Sequence, residues 1–176
     1  MGPMATTAEL LTDGFGRIRE NVADVLKGLT PEQLSDRLDA EANSISWLIW
    51  HLTRVQDDHL ADAFGVTQVW SAQGWAERFG LPAGTMVHGY GQTPDEVAEF
   101  AAATASAELL AEYHEAVYAQ TIKLVSEVSD ADLDRIVDKR WTPHVTLGVR
   151  LVSVMDDDMQ HVGQAAFVRG ILLRRG

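Results

Sequence analysis

The amino-acid sequence predicts an all-α fold in which four long helices form a bundle. Four long segments repeat their apolar residues every three to five positions, which is typical of amphipathic helices. The strict apolar–polar alternation of a half-buried strand is almost absent. With 46% hydrophobic and 23% charged residues, the 176-residue chain suits a single globular domain, expected over residues 5–176. Residues 1–3 resemble a remnant of an expression vector.

The first two long helices are expected over residues 5–29 and 43–64. Thr6 or Thr7 supplies an N-cap for the first, because threonine hydroxyls accept hydrogen bonds from free backbone N–H groups at a helix start. The second ends at Gly65, a residue type that readily adopts the left-handed conformation of a helix stop.

Residues 66–92 predict a structured excursion between the second and third long helices. They contain five glycines but also two of the five tryptophans. This aromatic content is too high for a flexible linker. We expect one short helix over residues 72–79, packed over one end of the bundle. The third long helix is expected over residues 93–128, because Thr93-Pro94-Asp95-Glu96 combines a cap, a proline at the first helical position and a glutamate three residues after the cap.

The last helix, expected from a cap at Thr146 to Leu173, has the clearest pattern. Its apolar stripe follows positions 147, 151, 154, 158, 161, 165, 168 and 172. Six of these are apolar, but Asp158 and His161 are not. Burying titratable groups in an apolar stripe is costly unless they are paired or bind a ligand, so this part of the helix is the first candidate site.

Asp157 and His161 lie four residues apart, so one face of the helix carries both side chains. Gln164 shares that face, and Asp158, at a spacing of three, is the alternative carboxylate: the stripe favours Asp158. On the second helix, His51 stands among apolar residues in a similar way.

Two histidines and one carboxylate would form an open metal site that leaves a position for water or substrate. This donor set suits Zn, Fe(II), Ni or Mn, and ligand chemistry alone does not choose among them. Zinc is taken as the first candidate. The alternative is a buried histidine hydrogen-bonded to an aspartate one turn away, without metal.

Other side chains are candidates for the surrounding pocket. Trp47, one turn before His51, is either a pocket wall or a core residue. Arg54 is a candidate for orienting an anionic substrate group, and His144 and His88 lie in segments expected at a bundle end, where loops often line pockets. His59 and His114 stand among polar neighbours and are expected on the surface.

Composition excludes several functions. The net charge of −12, from 14 basic and 26 acidic residues, argues against nucleic-acid binding, which needs a dense basic face. With no cysteine, the chain has no disulfide, no thiolate metal ligand and no cysteine nucleophile of its own. The apolar runs are shorter than the roughly 20 residues that span a bilayer, so no membrane contact and a cytoplasmic location are expected.

Two segments resemble the DinB-like superfamily. Residues 43–58 (NSISWLIWHLTRVQDD) are similar to its second-helix motif, and residues 161–170 (HVGQAAFVRG) to its last-helix motif, a His-x-x-x-His pair followed by Gly-Gln. The resemblance extends over the helix order and the excursion, and it places the metal on His51, Asp157 and His161, with Asp157 where the family usually has histidine. Gln164 is then a candidate neighbour of the metal ligands.

The amino-acid sequences of both motifs are most similar to those of actinobacterial mycothiol-dependent S-transferases. This resemblance implies a divalent-metal enzyme that activates mycothiol for attack on an electrophile, as in detoxification, and it implies a possible homodimer. A protein without cysteine fits such chemistry, because the cofactor brings the sulfur. Two alternatives remain: a metal-dependent hydrolase or isomerase using the same site, and a non-catalytic stress protein whose metal is closed off by a fourth ligand such as His144 or His88.

Overall fold

The computed structural model describes residues 5–175 and confirms the all-α prediction. In this range the helices are α1 (Thr7–Leu26), α2 (Pro31–Ser35), α3 (Ile45–Phe64), α4 (Val69–Ala72), α5 (Trp75–Arg78), α6 (Pro94–Ala103), α7 (Ala107–Val125) and α8 (Leu147–Arg175). A 3₁₀ turn covers Asp130–Asp132, and two short strands are β1 (Ile136–Asp138) and β2 (Val145–Thr146). The vector remnant expected at residues 1–3 lies outside the described residues.

The four long helices α1, α3, α7 and α8 form the bundle. Helix α3 packs along α8 and α7, and α1 packs along the same two helices from the other side. Most of α3 is buried, because α2, α6 and the excursion cover the faces that the bundle leaves free. The apolar stripe of α8 faces this core as the sequence predicts, with Leu147, Leu151, Val154, Ala165, Val168 and Leu172 all buried. Helix α3 and helix α8 are therefore the elements that can hold a buried site between them.

Helix starts follow the capping residues of the sequence. Thr6 and Thr93 each form a capping box with the glutamate three residues later. The Thr146 hydroxyl accepts a hydrogen bond from the Val149 N–H group at the start of α8, at 3.3 Å. Gly65 ends α3 with φ at 66°, the left-handed conformation expected there.

The single third helix predicted over residues 93–128 is wrong, because the chain bends between α6 and α7. The Thr104 hydroxyl donates to the Phe100 carbonyl, at 2.9 Å, and the Ser106 hydroxyl accepts from the Leu109 N–H group, at 3.2 Å. The Thr104 hydroxyl shares the Phe100 carbonyl with the Thr104 N–H group, and the Ser106 hydroxyl takes an N–H group that a continuous helix would bond to a carbonyl. Thr104 thus ends α6, and Ser106 caps α7.

Arg54 and Asp57, a buried ion pair of α3, hold the excursion against this helix. The Asp57 carboxylate accepts hydrogen bonds from the N–H groups of Val69, at 2.8 Å, and Trp70, at 2.7 Å, which fixes the start of α4. The one short helix predicted over residues 72–79 is instead two, α4 and α5, separated by Gly74 with φ at 66°.

The expectation that Arg54 orients a substrate is wrong. Its side chain is 0% exposed. The guanidinium donates to the Val87 carbonyl, to Gln68 and to the Tyr113 hydroxyl, and it lies 3.5 Å from Asp57. Arg54 therefore stabilises the excursion and does not face a ligand.

The prediction that His114 lies on the surface is also wrong, because this residue is buried between α7 and α3. Its Nδ1 lies 3.1 Å from the Thr53 hydroxyl. Burial lowers the pKa of His114 to about 4, and the nearby Arg19 charge acts in the same direction. The ring is therefore neutral near pH 7 and serves the core.

A β-hairpin that the sequence did not predict precedes α8. Strands β1 and β2 pair antiparallel, with Ile136 opposite Thr146. Two hydrogen bonds from the Arg140 guanidinium, at 2.8 and 3.0 Å, and a third from its N–H group lower the pKa of Asp138 to about 2. Arg150 of α8 also contacts Asp138, at 3.4 Å, so the hairpin is tied to α8.

No helix within residues 5–175 combines the length and the apolar character that crossing a bilayer requires.

Candidate metal centre

Three side chains of metal-ligand type meet between α3 and α8. One ligand atom from each of His51, Asp157 and His161 lies within 4.8 Å of the other two. His161 Nε2 is 3.7 Å from Asp157 Oδ1, and the centroids of the two imidazole rings are 4.9 Å apart. The i,i+4 spacing on α8 places its two ligands on one face, and the packing of α3 against α8 brings His51 to them.

Hydrogen bonds at Nδ1 orient both imidazole rings. His51 Nδ1 contacts the backbone carbonyl of His88, and His161 Nδ1 lies 2.9 Å from Gln164 Oε1. Both partners are acceptors, so each Nδ1 carries the proton and donates it. The two Nε2 atoms are then unprotonated and available for a cation, which is how metal-binding histidines are commonly held.

Burial lowers the pKa of His51 to about 4, although its hydrogen bond to His88 acts in the opposite direction. The ring is 2% exposed. A neutral imidazole is the form that binds a metal, so His51 has no proton to lose first.

The structure separates the roles of Asp157 and Asp158. Asp157 belongs to the ligand cluster, and its Oδ2 is buried without a hydrogen-bond partner. Asp158 is 0% exposed, both of its oxygens lack partners, and it is not part of the cluster. Burial, followed by the neighbouring Asp157 charge, raises the pKa of Asp158 well above its ordinary value. Asp158 is therefore a core residue, and the shift disfavours its charged form.

Aromatic side chains form the walls of the cluster. Trp47 stacks on His51 with ring centroids 4.5 Å apart, and its indole N–H donates to Gln92 Oε1, at 2.7 Å. Trp47 is thus both a core residue and a wall of the site. Tyr90 meets His51 edge-on at 4.9 Å, and its hydroxyl donates to Asp157 Oδ1, at 3.4 Å. Burial and the Asp157 charge raise the pKa of Tyr90 to about 12, so the hydroxyl keeps its proton.

Sequence reasoning missed Tyr90, although one signal was present. The excursion places this aromatic residue between Gly89 and Gly91, and both glycines adopt positive φ, at 100° and 76°. A large side chain flanked by two such glycines sits at the tip of a tight loop. Here the tip folds down over the ligand cluster.

Gly89 is required for this close approach, and we expect Gly89→Ala to weaken the site. A Cβ atom at this position would lie 2.7 Å from His51 Nδ1 and 2.9 Å from Trp47 Cζ2. The loop must then withdraw, which breaks the hydrogen bond from His51 to the His88 carbonyl. Losing such an orienting contact costs roughly 10- to 100-fold in metal affinity. Zinc titration of the apoprotein against a competing chelator measures the change.

Gly91→Ala is the matched control. Gly91 also has positive φ, at 76°, but an added Cβ meets no atom within 4 Å. Both variants carry a similar backbone strain, so only the contact with His51 and Trp47 separates them. Equal zinc affinities in the two variants would contradict the role given to Gly89.

The fourth ligand that a closed site needs is not supplied by either candidate histidine. Neither His88 nor His144 belongs to the ligand cluster. His88 Nδ1 accepts from the Tyr90 N–H group, at 3.4 Å, and His144 Nδ1 contacts the Trp141 carbonyl, at 3.0 Å. His144 is exposed on the hairpin loop. The observation that would favour a closed, non-catalytic site is therefore not made, and the described residues leave the cluster open.

A cavity of about 870 Å³ lies between α3, α8 and the hairpin, and its lining contains none of the three cluster residues. His59 and His88 lie on its wall, and both rings pack against Tyr90, with centroids 6.4 and 4.9 Å away. His59, expected on the surface, is thus a cavity residue. Tyr90 contacts His51 of the cluster and both of these cavity histidines, so it is the residue that links the cluster to the cavity.

A helical bundle with candidate metal ligands on the second and last long helices, here α3 and α8, is the arrangement of the DinB-like class of proteins, and Asp157 stands where that class usually has a histidine. The chain belongs to the mycothiol S-transferase family, whose model matches residues 10–173. The resemblance noted in the two helical motifs is confirmed by this match.

A crystal structure of a conserved protein from Enterococcus faecalis has the same fold, with a TM-score of 0.84 and 30% sequence identity. The similarity covers 94% of this chain and 96% of that one. No curated protein matches the chain. The family therefore indicates transfer to or from a small-molecule thiol, and the metal, the electrophile and the homodimer remain predictions.

Proposed function

We propose that the protein is a divalent-metal-dependent S-transferase that joins mycothiol to an electrophile, with zinc held by His51, Asp157 and His161. The observation that carries the proposal is the open three-ligand cluster beside a cavity, in a chain of the mycothiol S-transferase family. The cytoplasmic thiol pool would supply the nucleophile, and removal of reactive electrophiles would be the benefit to the cell.

The residues present fit a zinc ion. Two imidazole Nε2 atoms are left free by the hydrogen bonds at Nδ1, and the buried Asp157 Oδ2 has no partner. A buried carboxylate oxygen without a partner is costly, and a cation would relieve that cost. Two nitrogens and one oxygen with an open position are typical of catalytic zinc.

A bound divalent cation would lower the pKa of a thiol in the open position, so that the reactive thiolate is present at neutral pH. The chain's own residues hold the geometry. Gln164 and the His88 carbonyl fix the ring orientations, and Trp47 and Tyr90 exclude water from two sides of the cluster. The Tyr90 hydroxyl keeps its hydrogen bond to Asp157 and positions that carboxylate.

The proposed reaction balances without a redox partner. The thiol loses its proton to solvent, the sulfur forms a bond to an electrophilic carbon, and the leaving group departs with its electron pair. With 1-chloro-2,4-dinitrobenzene as electrophile, the products are the thioether, chloride and one proton.

The test is a rate measurement on zinc-loaded protein with that electrophile. We expect thioether formation that requires mycothiol and that falls by at least about 100-fold in Asp157→Asn, because a metal ligand contributes more than the second-sphere contacts worth 10- to 100-fold. Enzyme that consumes the electrophile equally fast without thiol would contradict the proposal and favour a hydrolase, with water as the nucleophile. Full activity after complete removal of metal would contradict it as well.

A further inference from the structure

A second, smaller cavity lies between α1 and α7, and we call it the α1–α7 pocket. Its volume is about 190 Å³. Val22, at 1% exposure, and His114, at 2%, form its floor, and Arg19 and Glu115 stand at its mouth. None of the residues to which the proposed thiol transfer gives a role lines this pocket.

The buried ring of His114 turns an unprotonated nitrogen away from α3. The Thr53 hydroxyl donates to the Ile49 carbonyl, at 2.7 Å, so its oxygen accepts the proton of His114 Nδ1, 3.1 Å away. Nε2 then carries a lone pair. The two nitrogens of an imidazole point in nearly opposite directions, so Nε2 faces the pocket side of the ring. It is buried and has no hydrogen-bond partner among the described residues.

This lone acceptor needs a donor. Burial lowers the pKa of His114 to about 4, so the ring takes up no proton of its own near pH 7. A buried acceptor without a partner destabilises a fold, and a ligand that donates one hydrogen bond removes that cost.

We propose that the α1–α7 pocket binds a small, uncharged phenol whose hydroxyl group donates to His114 Nε2. The proposal goes beyond thiol transfer and does not depend on it. Three observations carry it: the unpartnered acceptor, the size of the pocket and the arginine at its mouth.

The size of the pocket fits one aromatic ring. A cavity of roughly 150 Å³ is enough to hold a benzene ring. The pocket, at about 190 Å³, therefore has room for a six-membered ring and its hydroxyl oxygen. Val22 and two alanines, Ala23 and Ala111, give it the apolar walls that a ring requires.

Arg19 provides a movable cover for the pocket. Its Nε donates to Glu115, at 2.6 Å, and its guanidinium carbon lies 5.0 Å from the centre of the Tyr118 ring. The Arg19 and Glu115 side chains are 46% and 53% exposed, and an exposed ion pair of this kind contributes little and opens readily. When it opens, a ligand reaches Nε2, and the guanidinium can close over the bound ring as it does over Tyr118.

The charges of the pocket disfavour anions. Glu20 and Glu115 outnumber Arg19 among its lining residues. The lone pair of His114 Nε2 also repels a carboxylate or phenolate oxygen, since such an oxygen only accepts hydrogen bonds. A phenol, whose pKa is about 10, keeps its proton near pH 7 and remains a donor.

The pocket and the ligand cluster lie on opposite sides of α3. Thr53, which accepts the proton of His114, follows His51 by two residues, and two residues correspond to about 200° around a helix. We therefore expect phenol to bind equally well with and without metal.

The first experiment titrates phenol into ¹⁵N-labelled, metal-free protein and follows the imidazole nitrogens by long-range ¹H–¹⁵N correlation. An unprotonated imidazole nitrogen that accepts a hydrogen bond shifts upfield. We expect the His114 Nε2 signal to shift in this direction until saturation, with a dissociation constant on the order of 1 mM for so small a ligand. Toluene, of similar size but without a donor, is expected to move this signal far less. Absence of saturable binding, or binding that leaves His114 Nε2 unmoved, would overturn the proposal.

The second experiment fills the pocket. Ala111 is exposed on α7, so the fold tolerates Ala111→Leu, and the added side chain occupies space that the ring needs. We expect phenol affinity to fall by at least about tenfold, because inserting extra methylenes into occupied space is strongly unfavourable. Ala119→Leu is the matched control, since Ala119 is exposed on the same helix but outside the pocket. Equal phenol affinity in the two variants would contradict the proposed site.

These measurements use no thiol, no electrophile and no metal, so they are separate from the test of the proposed function. A protein that turns over mycothiol and binds no phenol would lose only this inference. A protein that binds phenol at His114 and turns over no thiol would retain it.

Discussion

Asp157→Asn is expected to lose its zinc, whereas Asp158→Asn is expected to retain it. Asp157 alone of the two joins the ligand cluster, and its buried Oδ2 has no other partner. An amide there binds a cation far less well than a carboxylate does. We expect zinc affinity to fall by more than about 100-fold, since removal of contacts that only orient ligands already costs 10- to 100-fold.

Elemental analysis of both variants after zinc reconstitution measures this difference. Asp158 is the matched control, because it is adjacent, fully buried and the same residue type. The amide of Asp158→Asn has nearly the shape of the carboxyl group that it replaces, so the variant leaves the packing of the core unchanged. His51→Ala and His161→Ala should behave like Asp157→Asn. Retention of zinc in Asp157→Asn together with its loss in Asp158→Asn would show that Asp158, and not Asp157, is the ligand.

Asp57→Ala is expected to destabilise the fold by about 3–5 kcal/mol, the usual cost of removing one partner of a buried ion pair. Arg54 would be left fully buried without its counter-charge. The N–H groups of Val69 and Trp70 and the Tyr113 hydroxyl would lose the oxygens that accept their hydrogen bonds. Unpaired buried donors add to the cost.

Urea denaturation of the metal-free protein measures this loss as a change in the free energy of unfolding. Asp134→Ala, which removes an exposed carboxylate, is the control and should change stability by less than about 0.5 kcal/mol. A similar small loss in Asp57→Ala would show that the ion pair contributes little. Because Arg54 also holds the Val87 carbonyl, we expect zinc affinity to fall in Asp57→Ala even where the protein remains folded.

The cluster of His51, Asp157 and His161 could be predicted because its pattern is local. Asp157 and His161 interrupt or flank an otherwise apolar stripe at a helical spacing, and His51 does the same on a second helix. Each is an unusual residue in a regular element, so three residues stand out without any knowledge of tertiary contacts. The choice between Asp157 and Asp158 needed the structure, because one residue corresponds to 100° around the helix and the stripe pointed to Asp158.

The remaining parts of the site could not be predicted because they depend on contacts between distant segments. Tyr90 reaches Asp157 only through the path of the glycine-rich loop, and the His88 carbonyl meets His51 across 37 residues of sequence. Arg54, in contrast, was predicted to take part in the site but does not. Its place one turn after His51 suggested a substrate contact, but the side chain turns to the excursion. The break between α6 and α7 was missed because Thr104 and Ser106 lie in an alanine-rich run that favours a continuous helix.

The two histidines of the cluster differ in how their orientation is encoded. His161 depends on the Gln164 side chain, so a mutation at position 164 acts directly on the ring. His51 depends on a main-chain carbonyl, which every amino acid at position 88 would provide. Evolution is therefore free to vary residue 88, and through it the cavity wall, while the imidazole of His51 stays in place. The side chain at position 88 can therefore change without disturbing the geometry of the cluster, provided that Gly89 is kept.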